Sequence, residues 1–527
     1  MKSKSILYNV ILVLLILVFL NLVSLSIFTR IDLSKGKIYS LSKASKKTVH
    51  ELEDRLVIKA YFSKNLPGEY ADSRRYTQDL LSEYQAYSRG KLRFEFIDPS
   101  DEETLKQEAS KNQISPVPMR IIEKDKWEMR EVYMGLAFLY QDKTESIPLI
   151  QSTQGLEYEI TRMIKKITAQ GLKKVAFFQP EEEIQPPTIQ GMPAQSEEFS
   201  TIRQLIAESY ELSTTDLSSK IDPSVQTLFF AGIKDSLGMD QLYNLDQFVM
   251  RGGNVLFFQD RVEADLQNQS AKLIESNLFD LLHHYGIQVK SNLVADAQCG
   301  QVQIQRMQGF FRMMTPLSYP YFPIVTNVNK DNLIVKNLDQ LQMIFTSELD
   351  STRVGENLEF EPLIFSSENS GEAKAPRFDI SVNQFMQANL KQMFMDEPKV
   401  LAGIYSGSFR SYFADSDLYP DALTENSDAK ILFVPDREFI EDAGAASVQG
   451  NLDFVLNAVD FMAAESTLIE IRSRETIFKP LKELDNTARK TVKWLNILLP
   501  SILLIVFGMI RYRNELKRRK IIGELYE

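Results

Sequence analysis

The chain is poor in cysteine, with Cys299 as the only one among its 527 residues. No intrachain disulfide is possible, so a disulfide-bonded scaffold is excluded and the folded part must be stabilised by burial of apolar side chains. Basic residues are also outnumbered, with 60 Lys and Arg against 71 Asp and Glu. A nucleic-acid-binding protein needs a basic surface to replace phosphate counterions, so this deficit argues against a nucleic-acid partner.

Phosphate-binding glycine motifs are absent as well. Neither G-x-G-x-x-G nor G-x-x-x-x-G-K-[ST] occurs in the chain, so neither a dinucleotide site nor a nucleotide-hydrolysing site is expected, and no cofactor is predicted. The loop 179–198 contains five Glu and four Pro and would repel phosphate. Within it, Glu181, Glu182 and Glu183 are consecutive and lack the spacing of a calcium loop, so a solvated charge run is favoured over a cation site.

A cysteine nucleophile would need a base that a third group orients. His283 and His284 precede Cys299 by about fifteen residues, but the local pattern supplies no such arrangement. We therefore interpret Cys299 as structural and the two histidines, on different sides of a predicted helix, as surface residues. No catalytic residue and no metal site is predicted.

Both ends of the chain carry apolar runs. Residues 6–28 extend over 23 positions without a charge, which is enough to cross a bilayer as a helix; a cleaved signal peptide, the alternative, has a shorter apolar core. Residues 494–510 form a shorter run that contains Pro500, and a buried core helix is the alternative to a second span. The tail that follows is basic, as is typical of the cytoplasmic side: it contains Arg511, Arg513, Lys517, Arg518, Arg519 and Lys520.

Strands and helices alternate after the first apolar run. Residues 56–67 and 91–99 have strand patterns, residues 70–88 and 101–112 have helical patterns, and residues 119–150 predict two or three strands. This βαβαββ order is typical of a thioredoxin-like domain.

Thioredoxin chemistry needs a pair of thiols at the tip of the first strand. Ser63, Lys64 and Asn65 occupy that position, so this domain cannot exchange disulfides. Pro118 precedes the third strand, where such domains keep a cis-proline. We interpret the domain as a binding or spacer module, with these four residues as a candidate ligand or partner surface.

A second series begins after a predicted helix at 155–168. Short apolar strands alternate with amphipathic helices over residues 173–260, which predicts a parallel sheet covered on both faces, in a Rossmann-like or amidotransferase-like α/β domain. Residues 429–440 predict a returning strand and residues 451–463 a helix that covers it. Ligands usually bind such sheets in the crevice at the strand carboxyl ends, where the candidate ligand or partner residues are Gln179, Glu181, Glu182, Glu183, Gln259 and Asp260.

Two spans would place both termini in the cytoplasm and the ectodomain outside. The predicted order is a cytoplasmic N-terminus (1–5), a transmembrane helix (6–28), a juxtamembrane segment and helix (29–55), the thioredoxin-like domain (56–152), the sheet domain (153–480) with an insertion around 300–428, a juxtamembrane segment (481–493), a second transmembrane helix (494–510) and a basic cytoplasmic tail (511–527).

A series of short motifs runs through the chain in a fixed order: RIDLSKGKIYSLS, FIDPSD, GGNVLFFQD, YPYFP, PLIFSSENS, LAGIYSGSF, AKILFVPDREFI, NLDFVLNAVDFM and IEIRSR. In these motifs the chain resembles, from end to end, the auxiliary, substrate-binding-like membrane subunit of the gliding-motility-associated ABC transport system of bacteria. Relatives usually show a Gly-His-Gly-Glu-like turn after the first sheet strand, where this chain has FFQPEEEI. A ligand role for that turn is therefore not carried over.

The resemblance implies a two-pass protein of the bacterial cytoplasmic membrane that works with a separate permease and a cytoplasmic ATPase. The ectodomain also looks like a module of an intraflagellar transport protein, which favours contact with an envelope protein or polymer over turnover of a small molecule. Arg30, Lys35 and Lys37 are expected near lipid headgroups, and Ser42 is expected to cap the helix that follows; an ordinary juxtamembrane linker is the alternative.

The function expected from the sequence is that of a non-catalytic accessory subunit of a bacterial ABC transport system, anchored by two helices. One alternative is an envelope hydrolase or amidotransferase-like enzyme that uses the crevice of the second sheet. Another is a structural envelope tether.

Overall fold

The structure is a computed structural model, and the chain divides into two compact units, Met1–Ile477 and Phe478–Glu527. In the second unit, the described residues are helical. Within the described part of the chain, no helix reaches the length and hydropathy of a bilayer span. Of the run 6–28 only residue 12 belongs to that part, and of the run 494–510 residues 497 and 500–504 lie outside it. The described residues are 12, 40–64, 66, 70–100, 102–123, 126–153, 155–169, 172–179, 198–308, 311–336, 338–355, 357–386, 388–426, 428–465, 468–469, 471–472, 493–496, 498–499 and 505–516.

The first part of the larger unit is built on a four-stranded sheet of order β2-β1-β5-β6. Strand β1 pairs in parallel with β2 and antiparallel with β5, which pairs antiparallel with β6. Strands β3 and β4 form a separate antiparallel hairpin. The elements are α1 (Lys43–His50), β1 (Leu56–Phe62), α2 (Ala71–Tyr87), β2 (Leu92–Ile97), α3 (Glu103–Lys111), β3 (Val117–Glu123), β4 (Lys126–Val132), β5 (Met134–Tyr140), β6 (Lys143–Ile147) and α4 (Leu156–Thr168).

Pro118 does not lie where the sequence predicted. It is the second residue of β3, in the hairpin, with an exposed side chain. The cis peptide bond of the described residues joins Ala375 to Pro376, so the expectation of a cis-proline at 118 is wrong. The prediction failed because only two or three strands were expected in 119–150. The additional hairpin of β3 and β4 contains Pro118, and the strand that pairs with β1 is instead β5.

The larger sheet has eight strands in the order β16-β18-β20-β21-β10-β9-β7-β8. The five from β8 to β21 are parallel, and β20, β18 and β16 continue the sheet antiparallel. The elements are β7 (Lys174–Phe178), α5 (Ser200–Ala207), β8 (Glu211–Thr215), β9 (Val225–Phe230), α6 (Met239–Met250), β10 (Asn254–Phe258), β11 (Val262–Asp265), β12 (Ser270–Leu273), α7 (Asn277–His284), β13 (Asn292–Asp296), β14 (Cys299–Gln308), β15 (Phe311–Val325), β16 (Asn327–Val328), β17 (Leu341–Gln342), β18 (Leu358–Phe365), β19 (Ser370–Lys374), a 3₁₀ helix (Val382–Phe385), α8 (Leu390–Met393), β20 (Val400–Gly407), β21 (Ala429–Val434) and α9 (Gln449–Met462).

Paired phenylalanines explain how this sheet is buried on both faces. Successive side chains of a strand point to opposite faces, so Phe177 packs with α5 and α9, whereas Phe178 packs with α6 and α7. The ring of Phe177 stacks on Phe229 at 5.1 Å between centroids, and that of Phe178 stacks on Phe230 at 4.3 Å. Each FF pair in the sequence therefore contributes one ring to the apolar layer on each face of the sheet.

Residues 300–428 only partly form an insertion. Strands β18 and β20 lie in this range and extend the main sheet. The hairpin of β14 and β15, with β17, forms a separate three-stranded sheet over a third core that includes Tyr319, Tyr321 and Phe345. Strand β20 has five consecutive buried residues, the pattern of a strand covered on both faces.

Helix α1 is fixed to helix α4 by polar contacts. The hydroxyl of Ser42 accepts from the backbone N–H of Ser45 at 2.9 Å, which confirms the predicted cap. The Glu157 carboxylate in turn accepts from the Ser42 N–H at 2.7 Å and from the Ser45 hydroxyl at 2.6 Å. A network this deeply buried holds α1 in one orientation on the first sheet.

Helix α1 and the described residues 468–469 and 471–472 lie side by side. Ala44, in α1, forms a small buried cluster with Leu468 and Ile471, against which Tyr158 packs. Arg472 follows and donates to the Tyr158 hydroxyl. Helix α1 and the residues 468–472 are therefore in contact within the larger unit.

Candidate functional site

The carboxyl ends of β10 and β21 bring three carboxylates together. These strands are parallel neighbours, with Phe258 opposite Val434. Asp260 lies two residues beyond the first strand and Asp436 two residues beyond the second. One carboxylate oxygen from each of Asp260, Asp436 and Glu438 lies within 4.8 Å of the others, the only such group of potential metal ligands among the described residues. We call these three residues the carboxylate cluster.

Backbone N–H groups hold two members of the carboxylate cluster. Asp260 accepts from the N–H of Arg437 at 2.6 Å. Asp436 accepts from the N–H of Ile344 at 2.6 Å and from that of Phe439 at 2.8 Å. A hydrogen bond also joins the side chains of Glu438 and Asp260, whereas the Oε2 atom of Glu438 is buried and accepts from no other group of the described chain.

Burial makes ionisation of the cluster costly. It raises the pKa of Asp260 to about 7, and the neighbouring Asp436 carboxylate adds to the shift. Burial likewise raises the pKa of Asp436 well above its usual range, with Glu438 contributing, and that of Glu438, with Asp260 contributing. Taking a carboxylate out of water disfavours its charged form, and a like charge nearby disfavours it further.

Arg437 lies beside the cluster but directs its guanidinium elsewhere. Its Nε donates to the carbonyl of Ala231 at 3.1 Å, and its two terminal nitrogens pair with Glu441 and Glu198. Its carbon Cζ lies 4.9 Å from the ring centroid of Phe199. The positive charge nearest the cluster is therefore shared with two further carboxylates.

The sequence placed Gln259 and Asp260 at this edge, and the structure gives them different roles. Gln259 is fully buried: its Oε1 accepts from the N–H of Ile233 at 2.7 Å, and its Nε2 donates to the carbonyl of the same residue at 2.8 Å. Gln259 therefore joins the loops after β9 and β10. Asp260 belongs to the carboxylate cluster.

Those of the remaining candidate residues that the structure describes lie on two different sheets. Gln179 follows β7 at the same edge of the larger sheet and accepts from Arg203 at 3.0 Å. Ser63 follows β1 of the other sheet, where its buried hydroxyl accepts from the N–H of Tyr133 at 3.0 Å. Lys64 is exposed, and its backbone N–H donates to Asp98 at 2.9 Å. The predictions for Asn65, Glu181, Glu182 and Glu183 fall outside the described residues.

The predicted membrane-positioning residues are mostly outside the described part of the chain. Arg511 and Arg513 lie in the described helical stretch 505–516, with exposed side chains. Those outside it are Arg30, Lys35, Lys37, Lys517, Arg518, Arg519 and Lys520.

Cys299 and the two histidines do not combine into a catalytic pair. Burial raises the pKa of Cys299 to about 11, and the Asp296 carboxylate adds to the shift, so the reactive thiolate is scarce at neutral pH. His283 and His284 are exposed at the end of α7, where their rings contact Gln288 and the Ser411 carbonyl. Neither contact leads to the thiol.

A cavity of about 510 Å³ lies between α4 and α9. Arg162 lines it and contacts Glu159 at 2.6 Å and Glu208 at 2.9 Å, but its Nε atom is buried without a hydrogen-bond partner among the described residues. The Asp453 carboxylate, also in the lining, accepts from Gln449 at 2.9 Å. This cavity is therefore a candidate site in addition to the carboxylate cluster.

Comparisons with known proteins identify relatives over most of the chain. Residues 172–459 match the family described as ABC-type uncharacterized transport system, and residues 35–139 match a domain of unknown function. An uncharacterized protein of Borreliella burgdorferi is 24% identical over 529 residues, covering 96% of this chain and 97% of that protein.

Two solved structures show weak similarity. The mmIFT52 N-terminal domain aligns with a TM-score of 0.32 at 10% identity, over 55% of this chain and 97% of that chain. The exo-beta-1,4-mannosidase Op5Man5 from Opitutaceae bacterium strain TAV5 aligns with a TM-score of 0.16 at 10% identity, over 55% of this chain and 44% of that chain. TM-scores this low do not establish a shared fold.

Proposed function

Because the chain belongs to the ABC-type uncharacterized transport system family, and is thus an auxiliary component of an ABC transport system, we propose that it is a non-catalytic accessory subunit with two membrane anchors. Residues 6–28 and 494–510 dock on a permease subunit, and a cytoplasmic ATPase subunit hydrolyses ATP. The extracytoplasmic unit binds cargo, an envelope protein or a polymer. The family match over residues 172–459 carries this proposal.

Two further observations support the arrangement. The chain lacks the glycine motifs that hold nucleotide phosphates, so ATP hydrolysis is assigned to a partner. Ala44 packs against Leu468 and Ile471, so a segment that follows the first apolar run contacts one that precedes the second, which suits a body connected to two helices in one membrane. The thioredoxin-like domain serves as a binding or spacer module. A role in gliding motility is a narrower form of the proposal and rests on the sequence resemblance.

Co-purification tests the partnership. Tagged full-length chain, extracted in mild detergent after crosslinking, should bring down a permease and an ATPase. A variant whose residues 494–510 are replaced by an unrelated apolar helix of the same length should stay in the membrane and lose both partners. Recovery of the full-length chain without either subunit would overturn the partnership, whereas retention by the replacement variant would move docking away from this helix.

Thiol labelling tests the topology. Leu418 is 78% exposed, so a cysteine placed there in a Cys299→Ser background should react with a membrane-impermeant maleimide in intact spheroplasts. The Cys299→Ser chain alone is the matched control and should stay unlabelled. Reaction of the Leu418→Cys chain only after lysis would show that the unit lies in the cytoplasm.

A further inference from the structure

The cavity between α4 and α9 lies where the two sheets of the larger unit come together. Helix α4 packs on the first sheet, whereas α9 covers the larger one. Arg472 joins the two helices by donating to Tyr158 of α4 and to Asp460 of α9. The cavity measures about 510 Å³, within the usual range of about 300–1,000 Å³ for small-molecule sites, which favour such junctions.

The walls of this cavity carry more negative than positive charge. Three carboxylates and two guanidiniums belong to its described lining: Glu159, Glu208, Asp453, Arg162 and Arg472. Both guanidiniums are already paired, Arg162 with Glu159 and Glu208. Arg472 pairs at 3.0 Å with Asp460, which lies outside the lining. Among the described residues, no cation forms an ion pair with Asp453, so this carboxylate is the one whose charge stays unmatched.

Asp453 offers one free oxygen to the cavity. The residue is only 7% exposed, and Gln449 donates to its Oδ1 atom at 2.9 Å. Its Oδ2 atom accepts from no described residue. Unlike the Nε atom of Arg162, this oxygen is not fully enclosed, and the open space beside Asp453 is the cavity. Burial raises the pKa of Asp453, as expected of a carboxylate that lacks a counter-charge.

We propose that this cavity binds a small molecule with a primary ammonium group, which donates to the free oxygen of Asp453. An ammonium has further N–H donors to place. Glu159 and Glu208 each pair with a guanidinium through Oε2, which leaves their Oε1 atoms for those donors or for a second ammonium group. Leu205 and Leu456 lie in the same lining and suit a short apolar chain. This inference concerns the larger unit alone and does not rest on the partnership proposed above.

Equilibrium dialysis of labelled putrescine, the diamine of butane, tests the proposal. The full-length chain in a non-ionic detergent should bind putrescine saturably, with a stoichiometry near one, and its melting temperature should rise. The neutral 1,4-butanediol and the anionic succinate have the same chain length and should not displace it. Displacement by succinate would overturn the proposal in favour of an anion site on the two arginines. Displacement by the diol would overturn it as well, because the ammonium charge would then not be recognised.

Two variants locate the ligand. Asp453→Asn should weaken putrescine binding on the order of 30-fold or more, the lower end of the cost of losing one partner of a buried charged pair. The asparagine oxygen can still accept from Gln449, and a cooperative melt at or above the temperature of the unsubstituted chain shows that the fold is kept. Leu456→Trp removes no charge but fills the cavity, so it should abolish binding.

The control is Asp415→Asn, which removes the same charge from a side chain that is 86% exposed and outside the lining. Its affinity for putrescine should equal that of the unsubstituted chain. Absence of saturable binding by the unsubstituted chain would overturn the site. Equal affinity in Asp453→Asn, or binding retained by Leu456→Trp, would place the amine elsewhere and overturn it too.

Discussion

Replacing Arg472 with methionine should destabilise the larger unit by about 3–5 kcal/mol, the usual cost of removing one partner of a buried ion pair. Arg472 is 8% exposed and Asp460 only 1%. The guanidinium donates to the Asp460 carboxylate at 3.0 Å and also to Asn457 and the Tyr158 hydroxyl. Without it, the Asp460 charge stays buried with the Tyr210 hydroxyl donating at 2.7 Å.

The loss should depend on pH with a definite sign. Burial raises the pKa of Asp460 above its usual range, and the Arg472 charge opposes that rise. In Arg472→Met the pKa should therefore rise further. A carboxyl group whose pKa is higher in the folded than in the unfolded chain destabilises the folded state at any pH above its pKa in the unfolded chain. This penalty fades as the pH falls, because the buried group then takes up a proton. The difference between variant and unsubstituted chain should thus shrink towards acidic pH.

Denaturant titration of residues 1–527 in detergent, followed by circular dichroism, measures the effect. The double variant Asp460→Asn, Arg472→Met should recover most of the loss, because the uncompensated charge is gone. Arg410→Met is the surface control: its pair with Asp415 has side chains 64% and 86% exposed and should contribute less than about 1 kcal/mol. A loss below that value for Arg472→Met, or no recovery in the double variant, would refute the reasoning.

Two further variants test local geometry and thiol chemistry. Gly232→Ala should destabilise more than Gly252→Ala. Both residues have positive φ, which costs about 1–2 kcal/mol with a side chain. A new Cβ at Gly232 would clash with the backbone oxygen of Phe258 at 2.6 Å, whereas one at Gly252 would be 4.0 Å from the backbone oxygen of Asp428, an ordinary contact. Equal losses of unfolding free energy in denaturant titrations of the two variants would show that the structure relieves the clash at Gly232. Native Cys299 should react with iodoacetamide at pH 8 on the order of 100-fold more slowly than the unfolded chain, since burial raises its pKa to about 11 and the thiolate is the reactive form. Mass spectrometry measures both reaction rates. If the native and the unfolded chain reacted at comparable rates, the Cys299 thiol would not be buried as described.

Secondary structure followed from apolar periodicity wherever the segment was long or strongly patterned. The residues 173–179 and 252–260, expected as strands, contain β7 and β10, and the residues 451–463, expected as a helix, overlap α9. Periodicity reports which face of an element is buried. It does not report which strand pairs with which, so the β3–β4 hairpin and the antiparallel extension by β20 were not foreseen.

One of the three residues of the carboxylate cluster was predicted, and strand pairing explains why the other two were not. Asp260 was selected because it follows a strand at the expected edge of the sheet. Asp436 and Glu438 follow β21, about 170 residues later, and reach Asp260 only because β21 pairs in parallel with β10. The signal was present in the sequence, since PDRE directly follows the apolar run AKILFV. It carries meaning only once the two strands are known to be neighbours.

The contact between Ala44 and the residues Leu468 and Ile471 has a mechanical consequence. A pull that drew these segments apart would load that small apolar contact, together with the hydrogen bonds that Arg472 donates to Asn457 and Asp460. We expect a contact of so few side chains to give way at a lower force than the paired strands of either sheet. The two segments would then separate while the sheets stayed folded.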